Sequence, residues 1–297
     1  MAHPAPSPIY CLRGAGGPLN TLHFCCRGTD APLLFSGSAK GTIHMWNLNT
    51  RRPEETFEAH GGSSILWVRT LWSADSLISQ GRDMQVCLWD LRGGSGQAVD
   101  SVFTGSFGFC QCSLIETDQT KSLLAFATEQ SDEPDSGPGP LLLAGYEDGS
   151  LLLWNVTQRS ELSQVKAHPE PVMCLTFDPQ RLRGISGSAE TKLSSWILDS
   201  QNNIQLQESV ELVNPGVSQL CIRADGKLLA SAGWDHRVRI FGWKKLRPLA
   251  VLQYHTDMVL SVAFSDPLDP RQRLLAAGSK DQRISLWSIY NEGAATG

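Results

Sequence analysis

Three histidines along this chain are each followed, at a similar distance, by a carboxylate. His60 precedes Asp83, His168 precedes Glu190 and His255 precedes Asp281. An imidazole steadied by a carboxylate is the arrangement of a general base, so each pair reads first as a catalytic dyad. The pairs recur with a longer repeat, however, and chemistry copied at every repeat is scaffold rather than active site. Other motifs of chemistry are missing from the sequence. It holds no G-x-x-x-x-G-K-[ST] phosphate loop, no H-E-x-x-H and no G-x-S-x-G elbow. Gly14–Gly17 is a turn with no phosphate-binding helix after it. The eight cysteines form no C-x-x-C with a matching second pair or histidine partner, and most lie in apolar runs such as VMCLTF and QLCIR. They read as small buried hydrophobes in a reducing compartment. No catalytic residue, metal site or cofactor is expected.

The elements that must position these residues are visible as a repeat. SGSAKGTIHMWNL (Ser36–Leu48), SQGRDMQVCLWDL (Ser79–Leu91), AGYEDGSLLLWNV (Ala144–Val156), SGSAETKLSSWIL (Ser186–Leu198), SAGWDHRVRIFGW (Ser231–Trp243) and AGSKDQRISLWSI (Ala277–Ile289) align without gaps. Their aromatic anchors, Trp46, Trp89, Trp154, Trp196, Phe241 and Trp287, are spaced by 43, 65, 42, 45 and 46 residues. A period near 40–45 residues ending in a Trp-Asp-like pair marks a radial β-repeat. Each core splits into two alternating apolar runs around a polar turn, which predicts two half-buried strands. In the second repeat a strand lies upstream (SILWVRTLW) and a fourth downstream (QAVDSVF), giving four antiparallel strands per blade. Asp83, Asp148, Asp235 and Asp281 share one slot, where a carboxylate accepts backbone N–H bonds of the tight turn.

Composition narrows the partners. The chain has 297 residues, with 25 basic against 30 acidic side chains and a formal charge of −5. Neither sign forms a long run, so no nucleic-acid or membrane surface is expected. No apolar stretch is long enough to span a bilayer. MAHPAPSPIY lacks a signal-peptide pattern, which predicts a cytoplasmic and nuclear protein.

The repeats resemble WD-repeat β-propellers over essentially the whole chain. In that class the histidine, a strand Ser or Thr, the turn Asp and the Trp form a hydrogen-bonded tetrad. The resemblance assigns the complete set to His60, Ser79, Asp83 and Trp89. It gives His255, Asp281 and Trp287 to the last blade, with Ala277 in the serine slot. The blade after His168 has Ser186 and Trp196, with Glu190 in the aspartate slot. PIYCLR (Pro8–Arg13) precedes the first strand of the first blade, and the chain ends after the third strand of the last. The N-terminal strand is therefore expected to complete the last blade and close the ring.

The 65-residue interval between Trp89 and Trp154 is too short for two repeats by about 23 residues. FGFCQCSLIE and KSLLAFATE read as two strands. SDEPDSGPGP is a flexible acidic Pro/Gly linker, assigned to 129–140 and also similar to an acidic phosphoacceptor site around Ser131. LLLAGYEDG is already a second strand.

Longer strings carry a closer resemblance. LLLAGYEDGSLLLWNV, RGISGSAETKLSSW, LASAGWDHRVRIFGW and LLAAGSKDQRISLWSIY are similar to the guanine nucleotide-binding protein subunit beta-like protein 1/ASTRA-associated protein 1 family. The resemblance implies a seven-bladed ring. Here the last two strands of blade three and the first of blade four are lacking; the alternative is six blades with an insertion. The fold class is thus an all-β WD-repeat β-propeller, one domain over 1–297. The resemblance also implies a non-enzymatic adaptor for the triple-T co-chaperone complex, which matures phosphatidylinositol-3-kinase-related kinases, and a link to the ASTRA chromatin-associated assembly. No G-protein γ subunit is expected, because MAHPAPSP cannot form the heptads of a coiled coil.

Propellers bind partners mostly through the turns between second and third strands and the loops between blades. That places Arg82, Glu147, Trp234 and Lys280 on a candidate binding face, with Tyr146 one position earlier. Trp, Tyr and Arg are enriched in binding hot spots. Trp234 is the sharpest candidate and equally reads as a cover for the adjacent loop. Trp67, Trp72 and Trp243 are off the pattern and read as face residues or blade packing. The alternative function is a phosphopeptide- or modified-histone-reading propeller, using Arg82, Arg237, Arg239, Lys280 and Arg283.

Overall fold

The computed structural model describes residues 6–26, 32–71, 75–92, 97–105, 110–118, 121–125 and 140–291. The 129–140 linker, apart from Pro140, lies outside the described residues, as do Ser131 and Trp72. Strands dominate, with only two short 3-10 turns, His60–Gly62 and Pro270–Gln272, among the described residues.

The strands follow the repeat. After β1 (Tyr10–Leu12) come β2 (Leu19–Cys25), β3 (Leu33–Ser38), β4 (Thr42–Asn47) and β5 (Arg52–Glu58). The second blade holds β6 (Ile65–Thr70), β7 (Ser76–Gly81), β8 (Gln85–Asp90) and β9 (Gln97–Phe103). A hairpin follows, β10 (Ser113–Asp118) and β11 (Lys121–Ala125), then β12 (Leu141–Gly145), β13 (Ser150–Asn155) and β14 (Ser160–Lys166). Two further blades are β15 (Val172–Asp178), β16 (Arg183–Ser188), β17 (Lys192–Leu198) and β18 (Ile204–Glu211), and β19 (Val217–Ile222), β20 (Leu228–Gly233), β21 (Arg237–Gly242) and β22 (Arg247–Gln253). The last strands are β23 (Val259–Phe264), β24 (Leu275–Ser279) and β25 (Ile284–Trp287).

The chain forms two compact units. One gathers 7–131, 254–256 and 260–297. In it, β2–β5 and β6–β9 are four-stranded meanders and β10–β11 is a two-stranded sheet. The fourth sheet runs β1-β25-β24-β23. Its register pairs Tyr10 with Leu286, Cys11 with Ser285 and Leu12 with Ile284. The N-terminal strand thus completes the last blade as the sequence predicts, and Leu12 is buried in a core with Leu19, Leu22, Trp46 and Leu286.

The other unit gathers 132–253 and 257–259, and holds the three-stranded β12–β14 and the four-stranded β15–β18 and β19–β22. Its core is built by the alternation read from sequence. Ile185, Leu193, Val217, Leu220, Leu229, Phe241 and Trp243 pack into one cluster, and Leu151, Leu153, Trp196 and Ile204 into another.

Among the described residues, five sheets have four strands, one has three and one has two. This matches the six-blade alternative, with the β10–β11 hairpin as the insertion. Among the described residues no seventh four-stranded sheet is present; the shortened interval shows only β10 and β11 before β12.

Candidate functional site

The carboxylate–imidazole pairs are resolved into hydrogen bonds. His60 Nδ1 lies 2.9 Å from Asp83 Oδ1, and its Nε2 lies 2.7 Å from Ser79 Oγ. Trp89 Nε1 donates to the same Ser79 oxygen at 2.7 Å. Strand pairing places Ser79 opposite Cys87 on β7 and β8, two residues before Trp89, so the indole reaches across the ladder to the hydroxyl. Ser79 is fully buried. A hydroxyl locked between an imidazole and an indole, with no opening to solvent, cannot reach a substrate. Burial lowers the His60 pKa against the opposing pull of Asp83, which favours the neutral ring.

The last blade makes the same network with a different serine. His255 Nδ1 lies 2.9 Å from Asp281 Oδ2, and its Nε2 lies 2.8 Å from Ser285 Oγ. Trp287 Nε1 donates to Ser285 Oγ at 2.8 Å. Ser285 pairs directly across the ladder from Ala277, so the hydroxyl has moved from β24 to β25 while staying at the same height. The tetrad inferred as incomplete at Ala277 is therefore complete. The signal was present in ISLW: a serine two residues before the anchor, where the second blade has Cys87.

Two blades depart further. His168 Nδ1 lies 2.7 Å from Glu190 Oε1 and its Nε2 2.9 Å from Ser186 Oγ, so glutamate serves in the aspartate slot. Trp196 does not join. Its indole lies over Gly184 and stacks on Phe177 at 5.7 Å, and its Nε1 has no partner among the described residues. In the β19–β22 blade, no histidine precedes Asp235. Arg239 grips that carboxylate with two bonds, Nη1 to Oδ1 at 3.0 Å and Nη2 to Oδ2 at 2.6 Å, and Asn214 Nδ2 adds a third at 2.8 Å. With Phe241 in the tryptophan slot there is no indole donor, and the buried Ser231 hydroxyl is left without a partner among the described residues. Arg239 is consequently buried and bound to Asp235, which removes it from the basic set considered for phosphate reading.

The candidate binding residues sit at the expected turns. In the 132–253 unit, Trp234 is half-buried and its indole lies directly over Gly216. A Cβ at Gly216 would sit 2.2 Å from the ring, and this residue has φ +88°, so glycine is required twice over. Trp234 N also donates to Gly216 O at 3.1 Å. The indole is thus a cover for the adjacent loop, and it presents the remainder of its surface outward. Val213, at the start of that loop, is 86% exposed. The sequence reading missed it; the signal was an apolar residue in a slot that elsewhere holds histidine. Tyr146 is 41% exposed, on a turn fixed by Tyr146 N to Ser150 O at 2.9 Å and Gly149 N to Tyr146 O at 3.0 Å. Glu147 is exposed beside it. Asp148, with no histidine to meet, accepts from the Ser150 amide at 2.9 Å and hydroxyl at 2.8 Å, which hold its pKa below the ordinary value.

Arg82 and Lys280 are exposed on the corresponding turns of the other unit. Trp67 packs with Ile78, Val86 and Cys112. Trp243 is fully buried, donating from Nε1 to Asp178 Oδ2 at 2.8 Å beneath the Arg183 guanidinium. Both are packing residues. All eight cysteines are free thiols. Among the described residues, no cluster of His, Cys, Asp and Glu has the makings of a metal site, and no helix is long and apolar enough to cross a membrane.

Strand order, repeating turns and the tetrads define an all-β WD-repeat β-propeller. Residues 211–242 and 246–288 match the WD domain, G-beta repeat family. The fold is also that of the β-propeller domain of Cps50 (Swd1) from Myceliophteria thermophila, with a TM-score of 0.70, 16% identity and coverage of 96% of this chain and 99% of that one. The chain belongs to the guanine nucleotide-binding protein subunit beta-like protein 1/ASTRA-associated protein 1 family. It is 45% identical to the Mus musculus protein of the first name over 322 aligned positions, 97% of each chain. It is 29% identical to ASTRA-associated protein 1 of Schizosaccharomyces japonicus, over 96% of this chain and 99% of that one. The mouse alignment is longer than the 297 residues of this chain, so the relative carries segments with no counterpart here.

Proposed function

We propose that the whole chain works as one propeller, a non-catalytic interaction scaffold that serves as an adaptor for the triple-T co-chaperone complex in maturing phosphatidylinositol-3-kinase-related kinases, in cytoplasm and nucleus. The observation that carries the binding face is Trp234. It is held over Gly216 by a glycine-specific contact, while part of the ring and nearly all of Val213 remain open. A rigid aromatic held in place loses little entropy on docking, which is the character of a hot-spot anchor. Tyr146 supplies a second aromatic on the same kind of turn. The name ASTRA-associated protein 1, borne by fungal relatives, supports a place in a multiprotein assembly. The burial of Ser79 and Ser285 within their tetrads supports a structural role for the His–carboxylate pairs. The partners are proteins, with no nucleic acid, membrane or G-protein γ subunit among them.

Trp234→Ala and Tyr146→Ala test this reading. Each should reduce capture of triple-T subunits about tenfold or more, with the melting midpoint close to that of the parent. Undiminished capture by both variants would remove this face from the account.

A further inference from the structure

The first blade lacks the polar half of its tetrad. Ser36 and Trp46 are in place, with Trp46 Nε1 donating to Ser36 Oγ at 2.8 Å. In the last blade the histidine stands four residues before Val259, the first residue of β23; four residues before Leu19, the first of β2, stands Ala15. In the aligned repeats Lys40 takes the position of Asp281. The effect shows in the backbone. Asp281 accepts from the amide of Thr256, the residue after His255, at 3.1 Å. In the first blade a cation replaces that carboxylate. No amide of Gly14, Ala15, Gly16 or Gly17 donates a hydrogen bond among the described residues. Ala15 and Gly17 are nevertheless buried, where an unmet N–H is costly.

The loop is shaped for an anion. Gly14 and Gly16 have φ +93° and +72°, and Ala15 between them does not share that hand. Alternating hands turn successive N–H groups to one side, a concavity that binds anions. A Cβ on Gly14 or Gly16 would meet nothing within 4 Å, so the space beside them is open. The Lys40 side chain lies against the loop, since a Cβ on Gly17 would be 3.1 Å from its Cγ. Leu12 pairs with Ile284, so Arg13 and Arg283 come next on the two strands, a like-charged couple that repels. Burial and the Cys11 thiol push the Tyr254 phenol pKa up, and both arginines pull against them. Lys40, Arg13 and Arg283 make no ion pair among the described residues. The segments around the loop, 13–18, 39–41, 254–256 and 279–283, are all described and belong to one unit.

We infer that the Gly14–Gly17 amides, Lys40 and Arg13 bind a phosphate monoester dianion where other blades place a turn carboxylate, with Arg283 adding to the positive field. A phosphate brings nearly two charges and three acceptor oxygens, which suits several amides and neighbouring cations better than a single carboxylate. It arrives on a phosphorylated side chain of a partner protein or as the free ion. The site needs neither Trp234 nor Tyr146, so it stands or falls apart from the turn-face proposal.

The test is titration of the full nitrogen-15-labelled chain with N-acetyl-O-phosphoserine amide and, separately, with inorganic phosphate, both at constant ionic strength. Saturable shifts of the Gly14–Gly17 amides are expected with each. Tighter binding of the phosphoserine compound assigns the source to a modified side chain, and tighter binding of inorganic phosphate assigns it to the free ion. Lys40→Asp rebuilds the carboxylate of the other blades. It should weaken binding about tenfold or more while holding or raising the melting midpoint. Arg13→Gln should weaken binding with the midpoint unchanged. Shifts absent from these amides, shifts matched by chloride at the same ionic strength, or undiminished binding by both variants would overturn the proposal.

Discussion

The tetrad position tolerates relocation because what matters is the oxygen, not the strand that carries it. Ser79 on β7 and Ser285 on β25 each receive an indole N–H and an imidazole, although they come from opposite sides of a ladder. Ser285→Ala should therefore leave the Trp287 Nε1–H donor and the His255 Nε2 acceptor without their shared hydroxyl in a buried place and cost about 2–3 kcal/mol. Adding Ala277→Ser should restore most of it, since that position faces Ser285 across the ladder. Urea unfolding of the two variants checks this; an Ala277→Ser change that fails to rescue would mean the network is specific to β25. The His, Asp and Trp of these sets were legible in the sequence because they recur in register. The serine shift was not, because reading slots one strand at a time ignores the cross-strand partner. The Arg239–Asp235–Asn214 substitute escaped for the same reason: the residues that replace histidine come from a loop and a facing strand.

At the scale of elements, alternation and turn residues were enough to place almost every described strand, and the 65-residue interval correctly marked where the pattern fails. What sequence left undecided was whether the interval's strands belong to an incomplete pair of blades in a seven-bladed ring or regroup as an insertion in a six-bladed one. Among the described residues β10–β11 is a two-stranded sheet and β12–β14 a three-stranded one, which matches the six-bladed alternative. The N-terminal strand is the opposite case, a distant segment that completes a sheet. Ile9 N donates to Leu286 O at 2.8 Å and Leu12 is fully buried beside Leu19 and Leu286. Removing residues through Arg13 should expose the edge of β25 and lower stability by about 3 kcal/mol or more. A lowered melting midpoint and faster proteolysis near β25 are the expected readouts. An unchanged midpoint would show that β25 does not depend on its N-terminal partner.

For the whole molecule, the repeats build one scaffold from residues that look catalytic in isolation, and the differences between repeats carry the proposed function. Trp234, Val213 and Tyr146 interrupt slots that other blades fill with small, charged or histidine side chains. Sequence could rank Trp234 but could not decide between a loop cover and a binding residue. The structure shows the cover, and the part of the ring left open is what the proposed partner would meet. Hydrogen–deuterium exchange of the chain alone and bound to the purified triple-T complex tests this most directly. The account predicts new protection over 145–149, 213–216 and 233–236, with the outer strands β14, β18 and β22 unchanged. Protection confined to those outer strands, with the three turns exchanging as in the free chain, would contradict it.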